Sequence, residues 1–196
     1  MSISFLSSVF GYMVVSSYTP GPGNLLALNT TTTYGWKKGK TLIKGLCCGY
    51  CCVLLLCLFS VSKISAHLPA VLTFLRYAGT LYILYLALCI LRSRPVEESD
   101  VPAPAFRKGV LLQLFNAKLY FYLLTLLSTY LSSFLDTFVH CLITGICVLI
   151  VGCSASVTWA LCGVKLQRLH RKRYREINVL FCLFLLYCVW NTLNTG

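Results

Sequence analysis

The chain has 196 residues, of which 58% are hydrophobic and only 11% are charged. This composition excludes an ordinary soluble domain and predicts an integral membrane protein of the all-α class. The formal net charge of +12 is high enough for a nucleic-acid-binding protein. However, the basic residues lie between apolar segments and not on a soluble domain, so we expect no nucleic acid as a partner.

Apolar runs predict the membrane crossings, since a helix needs about 20 apolar residues to span a bilayer. No cleavable signal peptide is expected before the first run, because the first basic residue is Lys37. The whole chain, residues 1–196, is predicted to form one membrane domain. Six transmembrane helices are predicted at residues 4–34, 41–61, 69–91, 107–131, 136–162 and 177–193.

The first predicted segment contains a run that breaks helices. The run reads Pro20, Gly21, Pro22, Gly23 and Asn24. Proline has no backbone N–H and glycine disfavours helix, so several backbone groups lose their usual partners. Lipid cannot replace those partners, so such backbone must be buried by other helices or face a watery cavity, as in the broken helices that form transporter sites. We therefore predict a first helix that is broken at Pro20–Pro22, with a transport site beside the break.

The second predicted segment is rich in cysteine, which leaves another interpretation open. Four of the twelve cysteines stand together at Cys47, Cys48, Cys51 and Cys52. They could serve an intramembrane thiol–disulfide oxidoreductase, although a redox thiolate is usually accessible and lies at a helix terminus or beside a cation. The helical spacing of Gly45, Cys48, Gly49 and Cys52 instead favours a small-residue face that packs against another helix. No zinc site is expected, because no second cluster completes four ligands.

The fourth predicted segment carries Gln113, Asn116 and Lys118 inside an apolar run. An ammonium group at this depth is costly unless it lies in a polar site. The alternative is that the Lys118 side chain extends to the cytoplasmic surface. The first and fourth segments are thus the two that combine apolar length with an unusual polar motif.

The basic residues predict the topology. Fourteen of the 17 fall in three alternate connections, at residues 37–44, 92–108 and 165–175. These connections are expected in the cytoplasm, against anionic lipid headgroups, with both termini outside. The chain then divides into two halves of three crossings, residues 1–95 and 105–196, and a repeat with an odd number of crossings must be inverted. We expect the site where the broken first helix meets the polar fourth helix.

The energy source and the remaining ionisable residues are less well defined. No Gly-x-x-x-x-Gly-Lys pattern occurs, so no cofactor and no ATP hydrolysis are expected, and coupling to protons or ions is predicted. None of the five acidic residues falls at mid-depth, and Asp136 is expected at the outer end of the fifth segment, near His140. Arg76 in the third segment is either a cavity-lining cation or a side chain that extends outward to the membrane surface.

Four ordered motifs give the chain a resemblance to the LysE/RhtB family of small bacterial amino-acid exporters. The motifs are Pro20–Pro22 with Asn24, the first cytoplasmic turn at residues 35–39, the third segment at residues 77–86, and Asn116-Ala117-Lys118 in the fourth segment. Residues 112–130 and 159–187 look most similar to the branch that exports cysteine and O-acetylserine. Gly23 stands where the family more often has Asn. Ala117 stands where it more often has Pro or Val, which predicts a less kinked fourth segment.

The resemblance implies secondary-active efflux of a small neutral amino acid or related metabolite across the bacterial inner membrane by alternating access. The amides of a half-helix that begins near Asn24 would face the substrate carboxylate, and Lys118 would add a full charge. Asn24 and Asn116 would bind the ammonium group or a polar side chain. The hydroxyl-rich run at residues 29–33 either shares this role or reaches the cytoplasmic headgroups. A homo-oligomer is compatible with this prediction. The predicted substrate site therefore comprises Pro20, Gly21, Pro22, Gly23, Asn24, Asn116 and Lys118.

Overall fold

A computed structural model describes residues 3–63, 68–92, 105–131 and 137–194. These residues form six α-helices and one π-helical turn, and no strand occurs among them. This finding confirms the all-α class for the described part of the chain. The helices are α1 (Ile3–Tyr18), α2 (Pro22–Lys63), α3 (Leu68–Arg92), α4 (Phe106–Leu114), α5 (Ala117–Thr125), which continues into the π-helical turn Leu126–Tyr130, and α6 (Phe138–Asn194).

The two longest helices are each kinked near a basic stretch of the sequence. In α2 the kink lies at Gly35, whose φ of 73° and ψ of 174° are far from helical values. A positive φ of this size is disfavoured for residues with a Cβ, so glycine suits the position. In α6 the kink lies at Arg173, with φ −132° and ψ 42°. The connections predicted at residues 35–40 and 163–176 are therefore mostly helical.

Three parts of the described chain meet the requirements for crossing a membrane by length and apolar composition. Pro22–Ser60 and Phe138–His170 are each long enough as they stand. The pair Phe106–Leu114 and Ala117–Tyr130 qualifies together, with a bend of 56° between its two members. Phe5–Tyr18 is apolar but shorter. These lengths are consistent with an integral membrane protein.

Glycines allow α2 and α4 to approach closely. A Cβ at Gly45 would collide with the Phe106 carbonyl oxygen, and a Cβ at Gly109 would lie 2.6 Å from the Leu42 carbonyl oxygen. Gly49 packs in the same way, since its Cβ would lie 2.8 Å from the Gln113 Cβ. The small-residue face predicted in the second segment therefore contacts α4 through its glycines. Of its two cysteines, Cys48 is instead exposed and Cys52 is partly buried.

The distribution of polar and apolar side chains is that of a membrane protein. Large apolar side chains face outward, such as Phe59 at 70% exposure and Phe138 at 82%. Polar side chains lie inside, including every residue from Thr30 to Thr33. Apolar exposure on this scale has no role in a soluble monomer, whereas lipid accommodates it. The first turns of α2, residues 22–33, are buried on all sides and position the region described next.

Candidate functional site

The first break in the chain separates α1 from α2. Helix α1 ends at Tyr18 and α2 begins at Pro22, where a proline at the first helical position costs no hydrogen bond. The first bond of α2 runs from the Leu25 N–H to the Gly21 carbonyl, at 2.9 Å. The carbonyl groups left over at the end of α1 accept from side chains. The Asn24 amide donates to the carbonyl oxygens of residues 17 and 19, at 2.8 and 3.1 Å, and the Trp159 indole donates to that of residue 18, at 3.0 Å.

Lys118 reaches into this break from α5. Its ammonium group donates to the Thr19 carbonyl at 3.2 Å, to the Thr19 hydroxyl at 2.8 Å and to the Pro20 carbonyl at 3.2 Å. These contacts use all three donors of the ammonium group. Gly21 makes room for the approach, because a Cβ there would lie 3.2 Å from Lys118 Nζ. The Lys118 side chain therefore turns toward the break between α1 and α2.

A second break separates α4 from α5. Asn116 has φ −83° and ψ 88°, which are not helical, and the two helices meet at 56°. The Asn116 amide donates to Gln113 Oε1 at 2.8 Å. Gly79 of α3 packs against the Phe115 carbonyl oxygen, where a Cβ would collide. The fourth segment is therefore bent at Asn116 although residue 117 is alanine and not proline.

The two breaks enclose two adjacent cavities. A small cavity of about 50 Å³ is lined by five of the predicted site residues, namely Gly21, Gly23, Asn24, Asn116 and Lys118. A larger cavity of about 280 Å³ is lined by the two other predicted residues, Pro20 and Pro22, and again by Lys118. The seven residues predicted for the site therefore lie together, with Lys118 between the cavities.

Several residues of the cavities are absent from the predicted site. In the small cavity they are Ser16, Ser17, Tyr50, Gln113, Leu119, Tyr122, Gly152 and Ser156. In the larger cavity they are Thr19, Phe184, Tyr187, Cys188 and Thr192. Gln113 could have been assigned to the site from the sequence, because it is a polar residue in an apolar run and precedes Asn116 by three residues. Tyr50 had none, because nothing distinguishes it from the apolar helix around it.

The electrostatics of the small cavity favour an anion. The N-terminal turns of α2 and α5 both contribute to its lining, through Gly23 and Asn24 and through Lys118 and Leu119. Helix N-termini carry a partial positive charge, and Lys118 adds a full one. No Asp or Glu is found among the described residues that line either cavity. Asn116 Oδ1 is buried without a hydrogen-bond partner, so an acceptor is also left unused.

Other polar residues discussed in the sequence make structural contacts with α6. The Arg76 guanidinium donates to the carbonyl oxygens of Thr192, at 2.9 Å, and Leu193, at the end of α6, and Thr192 itself lines the larger cavity. Thr31 and Thr32 do not reach the headgroups. They donate to the carbonyl oxygens of residues 160 and 163 of α6, at 2.6 and 3.2 Å.

His140 lies beside a third, mainly apolar cavity of about 380 Å³. Asp136, its predicted neighbour, lies outside the described residues.

Comparison with known proteins identifies the family. The family model for a LysE type translocator matches residues 14–191. The chain belongs to the LysE family. The cysteine/O-acetylserine efflux protein of Escherichia coli O157:H7 is 34% identical over 191 residues, which cover 96% of this chain and 97% of that protein. The protein of the same name in Escherichia coli strain K12 is 33% identical over 192 residues, with the same two coverages.

A relative from Salmonella typhimurium strain LT2, also named cysteine/O-acetylserine efflux protein, is 32% identical over 189 residues, again 96% of this chain and 97% of that protein. No solved structure matches the chain. Membership of the LysE family makes this protein a transporter and not an enzyme. The oxidoreductase interpretation of Cys47, Cys48, Cys51 and Cys52 is thereby rejected.

Proposed function

We propose that this LysE family member exports a small neutral amino acid, of the cysteine or O-acetylserine kind, from the bacterial cytoplasm by secondary active transport. The observation that carries the proposal is the position of Lys118, which binds the first break and lies between two cavities. The names of the relatives support the substrate class.

The substrate carboxylate is expected to bind Lys118 and the N-terminal turns of α2 and α5. A charge-assisted hydrogen bond to an ammonium group is roughly twice as strong as a neutral one. Helix N-termini favour anions for the same electrostatic reason. Asn24, Gln113 and Asn116 line the small cavity and can select a polar side chain. Pro20, Gly21, Pro22 and Gly23 act through the backbone, because they keep the break open and leave room for the ligand.

Cavity size suggests how transport proceeds. A volume of about 50 Å³ holds only one or two water molecules, since one takes roughly 30 Å³. An amino acid therefore needs the larger cavity of about 280 Å³ or a rearrangement of the small one. Alternating access then consists of opening one cavity while the other closes around Lys118.

We propose six crossings in two inverted halves, residues 1–95 and 105–196. Helix α1 with residues 22–34 forms the first crossing, and α4 with α5 forms the fourth, so the two breaks occupy equivalent positions. Two contacts support the placement of all three basic connections at one end of the molecule. A Cβ at Gly35 would lie 3.3 Å from Gln167 Nε2, and Gly45 packs against Phe106.

The basic end faces the cytoplasm and its anionic headgroups, so both termini lie outside the inner membrane. A reporter that works only outside the cytoplasm should be active after Gly196 or near His67 and inactive near Glu98. Activity near Glu98 instead would refute this orientation. The energy source is proposed to be a proton or ion gradient, and a homo-oligomer remains a prediction.

The function is tested with everted membrane vesicles, in which export appears as uptake. Vesicles that contain the protein are given a panel of labelled amino acids, with cysteine and O-acetylserine included. We expect gradient-dependent uptake of small neutral members and none of large basic ones. If no amino acid accumulates although the protein is present at normal levels in the membrane, the proposed function is wrong.

A further inference from the structure

The three oxygen atoms around Lys118 Nζ form a complete binding site for an ammonium group. Two are carbonyl oxygens, of Thr19 and Pro20, and the third is the Thr19 hydroxyl. The Thr19 hydroxyl donates its own hydrogen to the Ser16 carbonyl at 3.1 Å. Its lone pairs are thus free to accept from Lys118. Since an ammonium group has three donors and no acceptor, this set of acceptors matches it fully.

This site is open to a ligand. Thr19 and Pro20 are exposed, and both line the larger cavity together with Lys118. A molecule in that cavity therefore has access to the same oxygen atoms. The Lys118 side chain is a flexible chain of four carbons with a compact charge at its end, so it can leave the site without moving the backbone.

A zwitterionic substrate poses an electrostatic problem that this site solves. The substrate carries an ammonium group as well as a carboxylate. Lys118 and two helix N-termini repel a second cation, and no Asp or Glu is among the described residues that line the cavities. The oxygens of Thr19 and Pro20 at the cavities already bind a cation, because they accept hydrogen bonds from Lys118.

We infer that, without substrate, Lys118 occupies the binding site of the substrate ammonium group. Substrate binding then exchanges one ammonium group for another at this site. This inference rests on the proposed function. The substrate ammonium group takes the place of Lys118 Nζ at Thr19 and Pro20, and Lys118 turns to the substrate carboxylate. The charge of the protein itself does not change, and both cations keep hydrogen-bond acceptors. Asn116, whose Oδ1 has no partner, lines the small cavity beside Lys118 and offers another acceptor after the exchange.

Two analogues of cysteine, each of which lacks one of its two charged groups, test the exchange. Cysteamine has the ammonium group without the carboxylate, and 3-mercaptopropionate has the carboxylate without the ammonium group. Their binding to the purified full chain is measured by calorimetry under reducing conditions, for the wild type, Lys118→Met and Lys108→Met. Lys108 is the matched control, because it lies in α4 and lines neither cavity.

We expect Lys118→Met to bind cysteamine at least about tenfold more tightly than the wild type, since the oxygens no longer have a competing cation. The same variant should lose binding of 3-mercaptopropionate, and Lys108→Met should match the wild type for both ligands. If Lys118→Met loses 3-mercaptopropionate but does not gain cysteamine, the exchange is refuted and Lys118 binds only the carboxylate. The proposed function would survive that result, because uptake of amino acids by wild-type vesicles is read separately.

A second variant keeps Lys118 in place, in case Lys118→Met does not fold. Thr19→Val removes the hydroxyl acceptor and keeps the side-chain shape, whereas Thr19→Ser retains the hydroxyl. We expect Thr19→Val to bind 3-mercaptopropionate up to about tenfold more tightly than the wild type, because Lys118 then gives up two acceptors instead of three when it turns to the carboxylate. Cysteine affinity should change little, because Lys118 and the substrate ammonium group lose the same acceptor, and Thr19→Ser should bind both ligands as the wild type does. Unchanged 3-mercaptopropionate affinity in Thr19→Val would also overturn the inference.

Discussion

The two breaks that meet at Lys118 are formed in different ways. Between α1 and α2, two prolines and two glycines weaken the helix locally, and the freed carbonyl groups accept hydrogen bonds from Asn24, Trp159 and Lys118. Between α4 and α5 there is no proline, and the bend depends on the Asn116–Gln113 hydrogen bond and on close packing against Gly79. The first break is therefore encoded in its own sequence, and the second depends on its neighbours.

Restoring the first helix should have the largest effect. Each change of proline to alanine inside a helix favours the helix by about 3 kcal/mol, so Pro20→Ala combined with Pro22→Ala can outweigh the contacts that hold the break. The backbone amides would then bind the carbonyl groups that now face Lys118. We expect transport to fall to background while the midpoint of thermal unfolding stays equal or rises. Both quantities are measured on the same purified variant, and full transport would show that the break has no role in function.

Removing the contact between the breaks should have the next largest effect. Lys118→Ala deletes the charge that binds the first break from α5, and we expect transport in vesicles to fall by about 10- to 100-fold, as for the loss of one charge-assisted hydrogen bond. Lys118→Arg should rescue poorly, since a planar guanidinium does not replace a compact ammonium group. Lys108→Ala is the control and should transport normally. Equal transport by both alanine variants, at equal membrane levels, would remove Lys118 from the mechanism.

The second break should be sensitive to a residue outside it. A Cβ at Gly79 would collide with the Phe115 carbonyl oxygen, whereas a Cβ at Gly11 would have no neighbour within 4 Å. Overpacking of this kind typically costs about 1–3 kcal/mol. We therefore expect Gly79→Ala to lower the thermal unfolding midpoint clearly and Gly11→Ala to leave it unchanged. Two equally stable variants would mean that α3 does not maintain the bend.

The difference between the breaks also explains what the sequence could predict. Residues 20–24 contain their own helix-breaking signal: α1 ends before this run, at Tyr18, and α2 begins within it, at Pro22. The bend at Asn116 was not predicted, because Gly79 belongs to another helix and its contact with Phe115 exists only in the folded chain. The same applies to Arg76, whose acceptors at Thr192 and Leu193 come from the far end of the chain.

The position of Lys118 was predicted in part. Its depth in an apolar run indicated a polar site, and its place in the predicted inverted repeat indicated a neighbour in the first segment. Its actual acceptors are mostly backbone oxygens of residues 19 and 20. Backbone groups carry no sequence signal, so only the structure could show that the ammonium site is already occupied.

The smallest predicted effects come from single side-chain amides, one at each break. Asn24 donates two hydrogen bonds to carbonyl oxygens, and Gln113 accepts one from Asn116. Asn24→Leu and Gln113→Met remove these bonds with little change in shape, and a typical buried hydrogen bond contributes about 1 kcal/mol. We therefore expect Asn24→Leu to destabilise the protein by about 2 kcal/mol and Gln113→Met by about half as much. Unfolding free energies of both variants are compared in the same detergent. A larger loss of unfolding free energy in Gln113→Met than in Asn24→Leu would contradict this expectation. The Asn116–Gln113 pair would then contribute more to the second break than Asn24 contributes to the first.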